Sequence, residues 1–326
     1  MQLEGISIIV PTYNDIARTR MCLDAIYIAS LRLSSAEIAM LEVIVVDDAS
    51  PQPFRYAGAG IEFVCQRFEV NKGVGTARNA GACLAKHNYL LFIDADVQVA
   101  ENFLITAFNY LRQNQVKVLQ GIGSHVPANG DPTLFHHYMA ISWHFFQVKY
   151  CRDFLWTLCT IISKPFFFQV GGFAEDYAGS GGEEFELTAR LLQADRGAIT
   201  CAPGLMFFHH YSGVKTRARK LLRRSPRLKE TIFNHSAWPL MFQLEAGLRA
   251  FFAVCLTLTL LLLLFQPIAA VIAYLVFGCL LFVSDGQLSM AFLRRHSLRL
   301  AVASIFFRQI EYMIVLCGIL WGKREK

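Results

Sequence analysis

The stretch Tyr89-Leu-Leu-Phe-Ile-Asp94-Ala95-Asp96 constrains this chain more than any other. Five apolar or aromatic residues run directly into two acids one residue apart. The pattern reads as a buried strand whose carboxyl end presents carboxylates. Residues i and i+2 of an extended strand face the same way, so Asp94 and Asp96 serve one site unless the strand has already turned. Neighbouring carboxylates repel. A hard divalent cation such as Mg²⁺ or Mn²⁺ relieves that repulsion and keeps a phosphate as a further ligand. An Asp-rich turn with no ligand is the plainer alternative.

Two earlier runs share the design. Ile6-Ser-Ile-Ile-Val10 is stopped by Pro11-Thr12-Tyr13-Asn14, and Leu41-Glu-Val-Ile-Val-Val46 ends in Asp47-Asp48-Ala49-Ser50-Pro51. Further strands are expected at 61–65, 116–120 and 154–162, and helices at 15–33, 101–113 and from a Gly-rich turn to about Lys86. This alternation implies an α/β fold, a mixed but mainly parallel sheet flanked by helices on both faces. Ligands of such sheets sit outside the carboxyl ends of the strands. Thr12 and Asn14, Asp47 and Asp48, and Asp94 and Asp96 all fall there, which favours a nucleotide site.

The Gly-rich turn is Asn71-Lys72-Gly73-Val74-Gly75-Thr76-Ala77-Arg78-Asn79-Ala80-Gly81. Gly-x-Gly-x-x-Gly does not follow the first strand and Gly-Lys-Ser/Thr is missing, which disfavours a dinucleotide-dependent dehydrogenase and a P-loop ATPase. Lys72 and Arg78 offer a point charge and a bidentate donor suited to a diphosphate. Alone, Arg78 reads as a solvated helix residue; its place between two acidic strand ends favours a ligand role.

Pro11–Asn14, Val46–Ser50, Asn71–Gly73 with Ala77–Gly81, and Asp94–Asp96 occur in this order. Together they resemble the family 2 glycosyltransferases of GT-A fold, over about residues 4–215. The resemblance implies that Asp48, with Asp47 beside it, reads the nucleobase and ribose. It implies that Arg78 approaches the uracil and diphosphate, that Asp96 ligates a divalent ion (Mn²⁺ or Mg²⁺), and that Asp94 contacts ribose or a metal-bound water. Pro11, Thr12, Tyr13, Asn14, Lys72, Gly73 and Ala95 complete the substrate-binding set on this side.

Downstream, Val170-Gly-Gly-Phe-Ala-Glu-Asp-Tyr177 leads to Gly179-Ser-Gly-Gly-Glu183-Glu184-Phe-Glu186-Leu-Thr-Ala-Arg190. Acids at a helix start are favoured by its dipole, so Glu183 and Glu184 read either as N-terminal helix acids or as a base for an acceptor hydroxyl. The segment resembles the family's Gly-Gly-Phe-Asp-Glu followed by Gly-Glu-Asp-x-Asp/Glu-Leu. That puts the base at Glu184, one methylene longer than the family's Asp, with Gly182 and Glu183 on the substrate; Glu183 and Asp176 stay open as bases. The resemblance also implies His209, at the end of Leu205-Met-Phe-Phe-His209-His210, as a metal ligand, with His210 as the alternative. The aromatic stretch 134–150 reads as core, as a membrane-facing surface or as sugar-binding faces. Its His136, His137 and His144 lack a standard metal spacing and read as structural.

Hydrophobic residues make up 54% of the chain and charged ones 17%, against about 25% charged in soluble domains. The excess lies after residue 247. The expected organisation is a catalytic domain at 1–215, a basic juxtamembrane segment at 216–247 and a membrane region at 248–326. Two spans are expected at about 248–265 and 268–284, joined by a Pro turn. Arg308, Gln309 and Glu311 are costly in lipid, so 300–321 is expected to lie in the interface or re-enter. Seven Lys or Arg residues between Arg217 and Lys229 suit anionic lipid, and nucleic acid is not expected. No signal peptide is expected, and the nine scattered cysteines read as reduced. The positive-inside rule puts the catalytic domain on the cytoplasmic face of the plasma (inner) membrane.

The expected function is metal-dependent, inverting transfer of one sugar from a nucleoside-diphosphate sugar, with UDP as the nucleotide, to a lipid-linked saccharide or glycan hydroxyl. Gln-x-x-Arg-Trp, the mark of processive family members, does not occur. Transfer onto polyprenyl phosphate, or a non-catalytic membrane assembly role on the same fold, are the alternatives.

Overall fold

A computed structural model describes residues 5–56, 61–175, 182–234, 240–262, 264–284, 286–295 and 297–321. The chain divides into two units, Met1–Ser124 with Phe146–His210, and His125–Phe145 with Tyr211–Lys326.

In the first unit the three opening apolar runs become strands β1 (Ile6–Thr12), β2 (Leu41–Asp47) and β4 (Tyr89–Ile93), each fully buried. Strands covered on both faces need continuous apolar sequence, which these runs supply. β1 pairs in parallel with β2 and with β4, and β2 pairs in parallel with β3 (Glu62–Arg67). Helices α1 (Ile16–Ser30), α2 (Ser35–Ile38) and α3 (Val74–Leu84) make the connections. Asp15 caps α1 by accepting from the Arg18 N–H. The sheet order is β3-β2-β1-β4-β7-β6-β8-β5, with β5 (Val97–Val99), β6 (Val118–Gly123), β7 (Cys159–Ser163) and β8 (Ile199–His209). β7 is antiparallel to β4 and β6, and β5 is antiparallel to β8. The sheet is therefore mixed and mainly parallel, as the sequence predicts. One core lies between the sheet and α1 with α4 (Phe103–Gln113). The other lies under α3, α6 (Lys164–Gln169) and α7 (Glu183–Ala194).

Two expectations shift. The predicted strand 154–162 starts only at Cys159, because Phe154 packs against the rings of Trp156 and Phe185 at 4.7 and 4.9 Å instead of extending the ladder. β4 stops at Ile93, and the Val97 N–H returns to the Asp94 carbonyl at 3.0 Å. Asp94 and Asp96 thus stand in a turn and not at i and i+2 of an extended strand.

The second unit contains most of α5 (Leu134–Lys149), then α8 (Val214–Asn234), α9 (Leu240–Leu262), α10 (Pro267–Ser284), α11 (Gly286–Arg295) and α12 (Leu298–Trp321). α9 and α10 pack on each other, and α12 packs on α8, α9 and α11. Pro267–Ser284 and Leu298–Leu320 are long and apolar enough to cross a membrane, while the apolar part of α9 is the shorter Gly247–Leu260. The stretch expected to be interfacial or re-entrant forms one unbroken helix, α12. Its polar residues have partners inside the unit. Arg308 is buried against Ser289 and Ser304, Gln309 bonds Thr257 and Tyr274, and Glu311 accepts from Arg217 and Tyr138.

Candidate active site

The predicted residues gather at the carboxyl edge of the parallel strands, in the first unit. Pro11 and Thr12 finish β1, and Thr12 shares a 2.6 Å contact with the Thr19 hydroxyl of α1. Tyr13 is 53% exposed, unusual for so large a ring beside a buried strand end. Asn14 has φ 52° and Ala49 has φ 62°, left-handed values that cost a residue with a Cβ. The Asn14 N–H donates to Ser50 Oγ at 2.9 Å, which ties these two loops together.

Asp47 and Asp48 are both buried. Asp47 accepts from the N–H groups of Ser50 (2.8 Å) and Phe54 (3.1 Å), and from Arg67 Nη1 (3.3 Å). Asp48 accepts from the N–H groups of Lys72 (2.7 Å) and Gly73 (2.9 Å). Asp48 therefore shapes the Gly-rich turn and Asp47 the loop that follows β2, roles that the sequence does not reveal. Burial raises the Asp48 pKa even against those two donors. Gly73, at φ 91°, opens α3 in a conformation that favours glycine. The Lys72 ammonium lies 5.0 Å from the Phe68 ring.

Arg78 is not a solvated residue. It is 2% exposed, and its guanidinium meets Asp94 Oδ1 at 2.6 Å and Glu183 Oε1 at 3.2 Å over the Phe173 ring. Burial raises the Asp94 pKa, opposed by the Arg78 charge and assisted by Asp96. The backbone of Asp94 is fixed by its N–H on the Leu158 carbonyl at 3.0 Å, and Ala95 packs on the core. Asn79, whose role the sequence left open, clasps the Gly-Gly-Phe turn: it accepts from the Phe173 N–H at 2.9 Å and donates to the Phe173 carbonyl at 2.8 Å.

Strand pairing delivers the histidine. β5 and β8 pair with Val97 opposite His209, and the His210 N–H reaches the Asp96 carbonyl at 2.9 Å. His209 Nε2 then lies 3.3 Å from Asp96 Oδ1. His210 is buried with Nε2 3.0 Å from Gln98 Nε2, and burial together with the nearby Arg18 charge lowers its pKa. A carboxylate oxygen and an imidazole nitrogen at this separation suit a borderline divalent ion. Among the described residues no three His, Cys, Asp or Glu side chains gather as a cage.

Gly182, at φ 116°, caps α7, whose first turn carries Glu183, Glu184 and Glu186. Glu183 is buried against Arg78; Glu184 is partly exposed, and its Oε2 accepts from the Gly182 N–H at 3.3 Å. Asp176, the other possible base, lies outside the described residues.

Residues 7–170 match the model of glycosyl transferase family 2. The chain belongs to this family. The family 2 chain is 26% identical over 220 residues to a validoxylamine A glucosyltransferase of Streptomyces hygroscopicus subsp. jinggangensis, covering 57% of this chain and 51% of that protein. It is 27% identical over 128 residues to a poly(ribitol-phosphate) beta-glucosyltransferase of Bacillus spizizenii, covering 39% and 20%. It thus spans about half the length, or less, of these relatives. A mannosyltransferase from Pyrobaculum calidifontis, solved in complex with GDP-Man and Mn²⁺, superposes with TM-score 0.57 at 16% identity, covering 99% of this chain and 89% of that one. This likeness supports the GT-A fold of the family 2 chain.

Proposed function

We propose that the protein is a metal-dependent, inverting glycosyltransferase that moves one sugar from a UDP-sugar to a hydroxyl of a lipid-linked saccharide or glycan. The observation that carries this reading is the meeting of Asp96 and His209 beside the Asp94–Arg78–Glu183 cluster, at the strand edge where nucleotides bind. Family membership and three relatives named for glucosyl or mannosyl transfer support it. The mannosyltransferase complex supports a sugar nucleotide and Mn²⁺ as ligands.

Asp96 and His209 would hold Mn²⁺ or Mg²⁺, and their mixed oxygen and nitrogen donors favour Mn²⁺. Such an ion offsets charge on the diphosphate leaving group. The turn shaped by Asp48, Lys72 and Gly73 holds the nucleotide, with Tyr13 exposed beside it. Glu184 takes the proton of the acceptor hydroxyl as its oxygen attacks the anomeric carbon. The bond from that carbon to the diphosphate oxygen breaks on the opposite face, which inverts the configuration.

The domain organisation that goes with this reading is a catalytic domain at 1–215, a basic juxtamembrane segment at 216–247 and a membrane region at 248–326, with the catalytic domain on the cytoplasmic face. Its support is the apolar length of α10 and α12 and the cationic α8. The test uses full-length protein in detergent with a panel of radiolabelled UDP- and GDP-sugars and Mn²⁺. Label should leave one UDP-sugar, and Glu184→Gln should slow this about 10²–10⁴-fold while nucleotide binding persists. Turnover with no sugar nucleotide, or full activity in Glu184→Gln, defeats the proposal.

A further inference from the structure

Arg78 is the most enclosed cation of the site, and its bonds run in two directions. Nη2 donates to Asp94, in the turn after β4, and Nη1 donates to Glu183, the first residue of α7. One planar guanidinium thereby joins the turn that carries Asp96 to the helix that carries Glu184. Phe173 closes one face of it at 5.1 Å. Glu183 is 4% exposed, and neither its Oε2 nor Arg78 Nε has a hydrogen-bond partner among the described residues. A carboxylate so enclosed and already paired is badly placed to take a proton from an incoming hydroxyl.

We infer that Arg78 and Glu183 form a buried strut that fixes the Asp94 turn against the amino end of α7, and that Glu183 is a positioning residue and not the base. The inference rests on the proposed reading of Glu184 as the proton acceptor. The fork of an arginine meets two carboxylates at a set angle, whereas a lysine offers a single point charge. Removing either end leaves a buried charge short of its partner, so the other end relaxes too. Glu183 and Glu184 share one helical turn, and Asp94 and Asp96 share one tight turn. The strut therefore sets the distance between the donor and acceptor sides, and an error of about 1 Å in such a distance costs roughly 10²-fold in rate.

The test compares Glu183→Gln, Glu183→Ala, Arg78→Lys and the double variant Arg78→Lys/Glu183→Ala as full-length protein in detergent. Glu183→Gln keeps an oxygen for Nη1. It should hold kcat within about 5-fold and leave the acid limb of the pH profile where it was. Glu183→Ala and Arg78→Lys should each lower kcat roughly 10–100-fold while KM moves less than about 3-fold. The double variant should be no worse than the poorer single one. A loss in Glu183→Gln as large as that in Glu184→Gln, or a displaced acid limb, makes Glu183 the base and overturns the inference. Single effects that multiply in the double variant overturn it as well. If the wild type transfers sugar from no nucleotide, the proposed function fails, and thermal unfolding still decides the strut. The Tm shifts of Arg78→Lys and Glu183→Ala must then be non-additive, and additive shifts reject it.

Discussion

Two acid pairs stand on either side of β1, and they are held in opposite ways. After β2, Asp47 and Asp48 draw four backbone N–H groups, from Ser50, Phe54, Lys72 and Gly73. After β4, Asp94 and Asp96 meet the side chains of Arg78 and His209. A backbone donor cannot leave without undoing its loop, whereas a side chain can turn aside or exchange partners. The first pair is therefore part of the scaffold that shapes the loop after β2 and the Gly-rich turn. The second is held by side chains that can exchange partners.

Asp96→Ala attacks the second pair and should have the largest effect. Removing it should lower transfer by about 10²–10³-fold, the usual scale for one charge-stabilising group, with Tm almost unchanged. Mn²⁺ binding followed by electron paramagnetic resonance should weaken in parallel; unaltered binding would assign the ion elsewhere. Asp47→Ala should do the reverse. It strips two buried N–H groups of their acceptor, at about 1–3 kcal/mol each, so unfolding should become easier by about 2–6 kcal/mol. Activity per folded molecule should stay within a few-fold, and a loss matching Asp96→Ala would erase the contrast.

Asp48 sharpens the comparison through pH. Burial raises its folded-state pKa, so the folded protein holds this proton more tightly than the unfolded chain. The resulting stability is full below the ordinary carboxylate value of about 3.9 and is lost as pH rises through the raised one. Wild type should thus lose Tm relative to Asp48→Asn as pH rises above about 4 and through the raised value. A Tm difference that is flat, or that moves the other way, contradicts the burial argument. The smallest effect belongs to Ala49. Ala49→Gly relieves a left-handed residue worth about 1 kcal/mol and loses part of this to unfolded-chain entropy, for a net gain of about 0.5 kcal/mol in chemical denaturation.

Much of this was legible because local pattern carried it. The runs before Thr12, Asp47 and Asp94 are long, apolar and sharply ended, so the parallel strands and their polar edge follow from the sequence alone. Partnerships across the fold were not legible. Glu183 lies 105 residues from Arg78, and no periodicity links them. β5 has only three residues, too few for an alternation to show, yet its pairing with β8 brings His209 to Asp96. Phe154 and Trp156 read as strand because aromatic residues favour strands; here the Phe154 ring packs on Trp156 and on Phe185 of α7. In α12, Arg308 and Glu311 argue from the sequence against a span, and the sequence does not show the hydroxyls, the arginine and the tyrosine that partner them.

The β5–β8 pairing also has a consequence for the order of assembly. The Asp96 turn is synthesised early, but its histidine arrives only with the last strand of the sheet, β8. Closing so long a loop is a late event in folding. A nascent chain that has exposed β1 to β4 therefore carries the acids without the imidazole, and a fragment ending before Ile199 should never acquire the paired site. Pairing of Asp96 with His209 therefore waits on the last strand of the sheet.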